Sequence, residues 1–200
     1  MQHHTLAAAA EDKTAKKDAP EKQEDQLLFK GRFVMVFGEI DDKMALATCR
    51  RLLALSQESD APITLLISSP GGHVESGDAI HDMIRFVRAP VTVVGTGWVA
   101  SAGTHIYLAV PKERRVALPN TRFMIHQPAG GAGGQASDIA IQAKEILRVR
   151  SRLAAVIARE TGQPLSRVAV DIERDFWMDT NEAIAYGLVS RVIERQTDLG

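Results

Sequence analysis

The sequence predicts an α/β fold: a largely parallel sheet with helices covering it. Two observations carry this. Short apolar runs of strand length alternate along the chain with longer stretches whose apolar residues recur at helical spacing. Glycine or proline punctuates many of the junctions between the two kinds of segment. Strand–helix–strand alternation requires crossover connections, and these favour parallel pairing. At 200 residues the chain is long enough to bury a sizeable core in one such domain.

Each element has its own signal. Arg32 to Phe37 is an apolar strand ended by Gly38, and Asp41 and Asp42 then open a helix with apolar residues from Met44 to Leu55. Ile63 to Ile67 is a buried strand that breaks at Ser69-Pro70-Gly71-Gly72. A helix from about Ser76 to Val87 places Ala79, Ile80, Met83, Ile84 and Val87 on one face. Val91 to Val94 is the next strand, and a helix of small residues starts near Ser101. Val116 to Leu118 and Arg122 to Ile125 are strands around the turn Pro119-Asn120. After the glycine-rich stretch from Gly130 to Gly134, Ser137 is expected to cap a long helix to about Glu160. Pro164 stands where an N1 proline would, before a helix to about Val170. Phe176 to Met178 is a short strand. Asp179 and Glu182 form a capping-box pattern for a helix closed by Gly187, and Val189 to Ile193 is the last strand.

The ends read differently. Residues 11–25 alternate Lys with Asp and Glu around Pro20, and no large apolar residue lies between Leu6 and Leu27. Such a segment buries too little surface to offset its ordering entropy. A flexible charged tail is therefore expected over residues 1–26, a folded domain over 27–196 and a short tail over 197–200. The apolar patch from Leu6 to Ala10 is too short for a signal peptide.

Composition excludes several classes of function. Lys and Arg number 24 against 25 Asp and Glu, with the signs interspersed, so neither a nucleic-acid footprint nor an anionic-membrane surface is expected. No apolar run reaches membrane-spanning length. Cys49 is the only cysteine, so no internal disulfide is possible, which fits a reducing cytoplasm. It lies in a helical apolar pattern and reads as a core residue rather than a nucleophile.

Three separated residues supply the parts of nucleophilic catalysis. Ser101, between Ala100 and Ala102-Gly103, has small neighbours that let a substrate approach its hydroxyl, though a serine at a helix start is also an ordinary N-cap. His126 ends an apolar strand and could face a cleft as a base; Asp175, before a short strand, could orient an imidazole. His105, four residues after Ser101, and His73, beside the glycine turn, are rival histidines. Gly71-Gly72 could offer backbone N–H groups to an oxyanion, as could the N–H of Ala102 at the start of a helix. Each taken alone has a structural explanation.

Taken together, the blocks Gly38-Glu39-Ile40-Asp41-Asp42, Ser69-Pro70-Gly71-Gly72, Ala117-Leu118-Pro119-Asn120, Met124-Ile125-His126-Gln127-Pro128 and Thr161-Gly162-Gln163-Pro164 resemble the proteolytic subunit of the Clp protease, the ClpP family, over roughly residues 32–194. The resemblance implies a crotonase-like fold of repeated ββα units with a protruding handle, made of a strand at the glycine stretch and the long helix. It implies a Ser101–His126–Asp175 triad, an oxyanion hole from the Gly72 and Ala102 N–H groups, and main-chain pairing of an extended peptide with Gly71, Gly130, Gly131, Ala132 and Gly133. It also implies serine endopeptidase activity without metal or organic cofactor. Heptameric rings stacked as a tetradecamer would enclose the sites, fed by a separate AAA+ unfoldase in the cytoplasm. The sequence itself has no P-loop of the G-x-x-x-x-G-K-[ST] type.

Three departures from the family pattern bear on these expectations. The charged tail stands where the family has its axial segment. Thr64 and Leu66 replace aromatic residues in the unfoldase-docking groove, and Ala102 replaces the usual Met after the serine. In addition, Glu173 replaces a usual Asp before Arg174. A non-catalytic helper subunit, a crotonase-like acyl-CoA enzyme and a Ser–Lys peptidase are the competing readings. Loss of a triad residue, CoA binding or a lysine at the site would mark them respectively.

Overall fold

The computed structural model describes residues 23–131 and 133–199. In chain order the elements are a helix α1 over residues 23–30, β1 (Phe33–Phe37), α2 (Asp42–Glu58), β2 (Ile63–Ser69), α3 (Val74–Phe86), β3 (Val91–Ala100) and α4 (Ala102–Tyr107). There follow β4 (Arg115–Ala117), β5 (Arg122–Ile125), α5 (Ala136–Thr161), α6 (Leu165–Asp171), β6 (Phe176–Met178), α7 (Thr180–Tyr186) and β7 (Arg191–Val192).

β1, β2, β3, β4 and β7 pair in that order, every pair parallel. This is the parallel sheet with crossover helices that the alternation predicts. The period of two is plain in β2, where Ile63, Leu65 and Ile67 are fully buried and their neighbours half-buried. The main core lies between that face of the sheet and α2, α3 and α4, with Leu52, Leu55, Ile80 and Ile106 supplying the helical side. A smaller cluster, Val94, Val116 and Ile193 with Leu66 and Leu118, occupies the opposite face.

β3 is longer than its first apolar run suggests, because it serves two partners in succession. Val93 to Gly95 pair with β4, and Trp98 to Ala100 pair with β5. Between the two sets Gly97 takes φ +60°, and the register against β2 jumps from Ile67–Gly95 to Ser69–Val99. A Cβ at Gly97 would sit 2.9 Å from Ser68 Oγ in a conformation that side chains disfavour. The strands around Pro119-Asn120 are therefore not a hairpin: both lie parallel to β3, and β5 carries β6 antiparallel on its other edge.

Several boundaries differ from the sequence expectation. Residues 23–26, expected in the tail, belong to α1. Phe29 packs on the core, and Arg51 of α2 lies 5.5 Å over the Phe29 ring while meeting the Asp25 carboxylate at 3.4 Å. A cation from the domain thus holds the end of the charged run. The remainder of the expected tail, residues 1–22, falls outside the described residues. At the other end, Gln196–Leu199 form a 3₁₀ turn rather than a tail. Asp198 accepts from the Glu194 and Arg195 N–H groups, and Leu199 packs on the smaller core.

Ser137 does not cap α5. The helix starts one residue earlier, behind Gln135, with no side-chain cap. Pro164 is the N-cap of α6 rather than its first residue. Asp179 and Glu182 do make both bonds of the capping box, and Gly187 closes α7. The first half of α5 stands away from the domain, its residues almost all exposed, whereas Ala154, Val156 and Ile157 in the second half are buried. The projecting first half is the helical part of the expected handle. Gly130, Gly131 and Gly133 lie outside any strand, because an edge strand needs a ladder partner and none pairs there among the described residues.

Candidate active site

Strand register brings the three separated residues together. β3 and β5 run parallel with Ala100 opposite Met124, and the Ser101 N–H donates to the Met124 carbonyl at 3.0 Å. Ser101 and His126 therefore leave adjacent strands at the same end. β5 and β6 run antiparallel with Ile125 opposite Phe176, so one further step of that register sets His126 opposite Asp175. Gln127 secures this step: its N–H donates to the Ile172 carbonyl at 2.7 Å and its side-chain amide to the Glu173 carbonyl at 3.0 Å.

The side chains form a hydrogen-bonded series. Ser101 Oγ lies 2.7 Å from His126 Nε2, and His126 Nδ1 lies 2.9 Å from Asp175 Oδ1. An ionised carboxylate only accepts, so Nδ1–H donates to Asp175 and Nε2 is left to accept the Ser101 hydroxyl proton. Ser101 is half-buried, and its backbone takes φ +55°, ψ −121° in the one-residue turn between β3 and α4. A side chain held there costs about 1–3 kcal/mol. Ser101 precedes α4 but makes no side-chain cap bond. It holds the N-cap position by its backbone alone, and its hydroxyl meets the imidazole instead.

The strained turn fits only because its surroundings are small. A Cβ on Gly71 would lie 2.6 Å from Ser101 Cβ, and one on Gly77 3.1 Å from Ala102 Cβ. Among the described residues, backbone N–H groups without a backbone acceptor lie on both sides of the serine. Ala102 is the first residue of α4, so its N–H has no intrahelical acceptor. Around Gly72, the Gly71 carbonyl accepts from Ile40 N–H and the His73 N–H donates to the Ile40 carbonyl. Among the described residues the Gly72 N–H between them has no backbone acceptor. A Cβ at Gly72 would collide with the Ile40 carbonyl oxygen, which ties this turn closely to the segment before α2.

An apolar pocket opens beside Ser101. Val74 from α3, Ala102 from α4, Ile125 from β5, and Leu153 and Ile157 from α5 line it, with His105 and His126 at its polar edges. A second, more open groove runs from Gly72 and His73 past Gly130 and Gly131 to Gln142, Ile146 and Val149 of α5. Gly133 has open space where a side chain would be, and Ala132 lies outside the described residues.

The rival histidines are engaged elsewhere. His105 is buried, its ring stacked on that of His81 with centroids 4.2 Å apart and its Nε2 2.9 Å from Asp78 Oδ1. Burial, then the neighbouring His81, pushes its pKa down to about 4. His73 contacts Glu75, Asp42 and Ser76 in the open groove. The Ser76 hydroxyl donates to Asp42 and holds that carboxyl below its usual range. Cys49 is partly buried against the core, and burial raises its thiol pKa. Among the described residues no cluster of His, Cys, Asp or Glu could hold a metal, and no helix is long and apolar enough to cross a membrane.

Sequence reasoning missed the pocket walls. Leu153 and Ile157 are spaced i, i+4 on the long helix, which was the available signal, whereas Asp78 lies off the apolar face of α3 and offered none.

A serine hydroxyl on a strained turn, an imidazole and a carboxylate in series, on a parallel α/β scaffold, are the parts of a serine hydrolase. The model of the Clp protease family matches residues 17–196. The ATP-dependent Clp protease proteolytic subunit 3 of Rhizobium etli is 51% identical over 178 residues, spanning 89% of this chain and 92% of the relative. The ATP-dependent Clp protease proteolytic subunit 2 of Gluconobacter oxydans is 54% identical over 191 residues, spanning 94% of this chain and 86% of the relative. The solved structure of ClpP1 from Listeria monocytogenes superposes with a TM-score of 0.80 at 49% identity, covering 88% of this chain and 99% of that one. A point variant of it reaches 0.83 at 51%. The chain belongs to the Clp protease family. It is a serine protease of the proteolytic-subunit type, with the α/β ClpP fold.

Proposed function

We propose that Ser101 is the nucleophile, His126 the general base and Asp175 the group that holds the imidazole in its working tautomer. The observation that carries this reading is the unbroken series Ser101 Oγ–His126 Nε2–Asp175 Oδ1, at 2.7 and 2.9 Å. Ser101 attacks a peptide carbonyl as His126 takes its proton. The tetrahedral oxyanion sits between the Gly72 and Ala102 N–H groups, where one such donor contributes about 2.7–4 kcal/mol. His126 then protonates the leaving amine, and water hydrolyses the acyl-enzyme by the same route in reverse. The apolar pocket beside Ser101 takes the side chain on the acyl side of the scissile bond.

The open groove would hold the rest of an extended polypeptide, paired through its main chain with the glycine stretch at Gly130, Gly131 and Gly133. That Gly130, Gly131 and Gly133 have no ladder partner among the described residues supports this. We further propose a cytoplasmic assembly of two stacked heptameric rings, joined through the handle and fed by a AAA+ unfoldase. Ile139, Ile141 and Leu147, exposed on the projecting half of α5, support burial of that helix between copies. The intact series of three side chains weighs against a non-catalytic helper subunit.

The deciding experiment is hydrolysis of a short fluorogenic peptide by the protein beside its Ser101→Ala variant. The reading expects a loss of about 10⁴-fold or more in the variant. Equal activity in both would overturn it.

A further inference from the structure

One carboxylate joins three walls of the pocket beside Ser101. Asp78 sits on α3 one turn beyond the wall residue Val74. Arg152 of α5 grips it with both nitrogens, Nη1 to Oδ1 at 2.8 Å and Nη2 to Oδ2 at 2.6 Å. The next residue, Leu153, and Ile157 one turn on are the α5 wall. His105 of α4 approaches the same carboxylate through Nε2 at 2.9 Å and is itself a pocket-lining residue. Behind it, His81 stacks flat on the His105 ring at 4.2 Å and 6°, and donates from Nδ1 to the His105 carbonyl at 2.8 Å. The ring therefore has one face fixed by His81 and one edge fixed by Asp78. Among the described residues the bidentate pair is the tight ionic link between α3 and α5; the other, Arg85 with Glu160, spans 3.8 Å near the far end of α5.

We propose that Asp78 is a positioning residue that sets which side chain the pocket accepts before the scissile bond. By tying α3, α4 and α5 to one point it fixes the spacing between Val74, His105 and the Leu153–Ile157 wall. A bidentate carboxylate–guanidinium pair suits this role because it fixes direction as well as distance. With the walls held, the pocket takes aliphatic side chains of leucine size and rejects an indole. With Arg152 released, the α5 wall moves outward and the rejection weakens. This inference rests on the reading of Ser101 as the nucleophile.

The test uses two peptidyl diphenyl phosphonates that differ only in carrying leucine or tryptophan at the position before phosphorus. Attack by Ser101 Oγ forms the O–P bond and expels phenol, so one labelling event is read directly by intact mass. Labelling rates are measured on the full chain and on its Asp78→Asn, Arg152→Ala and Arg148→Ala variants. The leucine-to-tryptophan ratio is expected to fall about 10-fold in Asp78→Asn and in Arg152→Ala, the scale of a pocket contact. Arg148→Ala, which breaks an exposed pair on the same helix, leaves it unchanged. The double variant falls no further than either single one, because both act through one link.

If both probes slow equally, so that the ratio holds, Asp78 is only structural and the proposal is overturned. If Asp78→Asn does not fold, the ratio in Arg152→Ala, altered at a half-exposed side chain, decides alone. Absence of any label on Ser101 in the parent would instead overturn the nucleophile assignment, and the inference with it.

Discussion

His105 makes the folded chain sensitive to mild acid in a way that can be worked out in advance. Burial pushes its pKa from 6.5 down to about 4, with the adjoining His81 ring adding to the effect. Asp78 opposes the shift, and Arg152 reinforces it. Below pH 6.5 the unfolded chain takes a proton on this ring that the folded chain refuses until about pH 4. The unfolded state therefore binds more protons across that window, and stability falls as pH drops. A shift of 2.5 units at 1.36 kcal/mol each gives a loss of about 3 kcal/mol by pH 4, of which about 2 kcal/mol is already lost at pH 5. Against a typical stability of about 5–15 kcal/mol this is a large fraction. The perturbation is His105→Phe, which removes the titrating group and keeps an aromatic ring against His81. Urea unfolding followed by tryptophan fluorescence at pH 7.5, 6 and 5 gives the comparison. The parent should lose about 2 kcal/mol more than the variant between pH 7.5 and 5. Asp78 stays ionised throughout this range, since its carboxyl lies below the ordinary value despite partial burial, held there chiefly by its bond from Arg152. Parallel losses in the two proteins would refute the reasoning.

Other perturbations follow from the same geometry. Asp175→Asn leaves His126 with the wrong proton arrangement and should lower kcat on a fluorogenic peptide by about 10⁴-fold without unfolding the chain, as circular dichroism would show. Gly71→Ala forces a Cβ to 2.6 Å from Ser101 Cβ at a backbone φ of +100°. Peptide hydrolysis should fall by about 100-fold or more as the serine is displaced, with a thermal melt lowered by about 1–3 kcal/mol of stability. Asp179→Ala removes one bond of the capping box and leaves an orphan N–H on α7, so it should cost about 1 kcal/mol in urea unfolding while activity per folded molecule is kept.

The alternation of strand and helix signals was enough to place the parallel sheet, because each signal is local. Ile63 to Ile67 reads as a buried strand from its own residues, and the Asp179–Glu182 box reads as a helix start from its own spacing. What was not legible depends on partners far along the chain. The extension of β3 beyond Val94 arises because β5 lies beside Trp98 to Ala100, and nothing in Gly95-Thr96-Gly97 announces that a strand continues through a bend. Two strands flanking Pro119-Asn120 look like a hairpin locally, yet both pair with β3. The end of the charged tail depended on Arg51, some 26 positions away, meeting Asp25.

The site divides along the same line, and the division shows where catalytic information resides. Ser101, His126 and Asp175 are candidates by their local motifs, with His105 and His73 as rivals, and only the family resemblance joins the three into one triad. Their convergence is not local: it follows from two registers, Ala100 with Met124 and Ile125 with Phe176, that no single motif encodes. The strain at Ser101 is likewise a product of packing. A serine adopts φ +55° only where the chain on both sides is fixed, by β3 before it and α4 after it, and where Gly71 leaves room for its side chain. The small residues around Ser101 are thus the visible trace in the sequence of a conformation set by the fold. The Asp78 junction left almost no such trace. One carboxylate in an amphipathic helix looks like a solvated charge until α4 and α5 are packed against it, which is why the pocket walls emerged only from the structure.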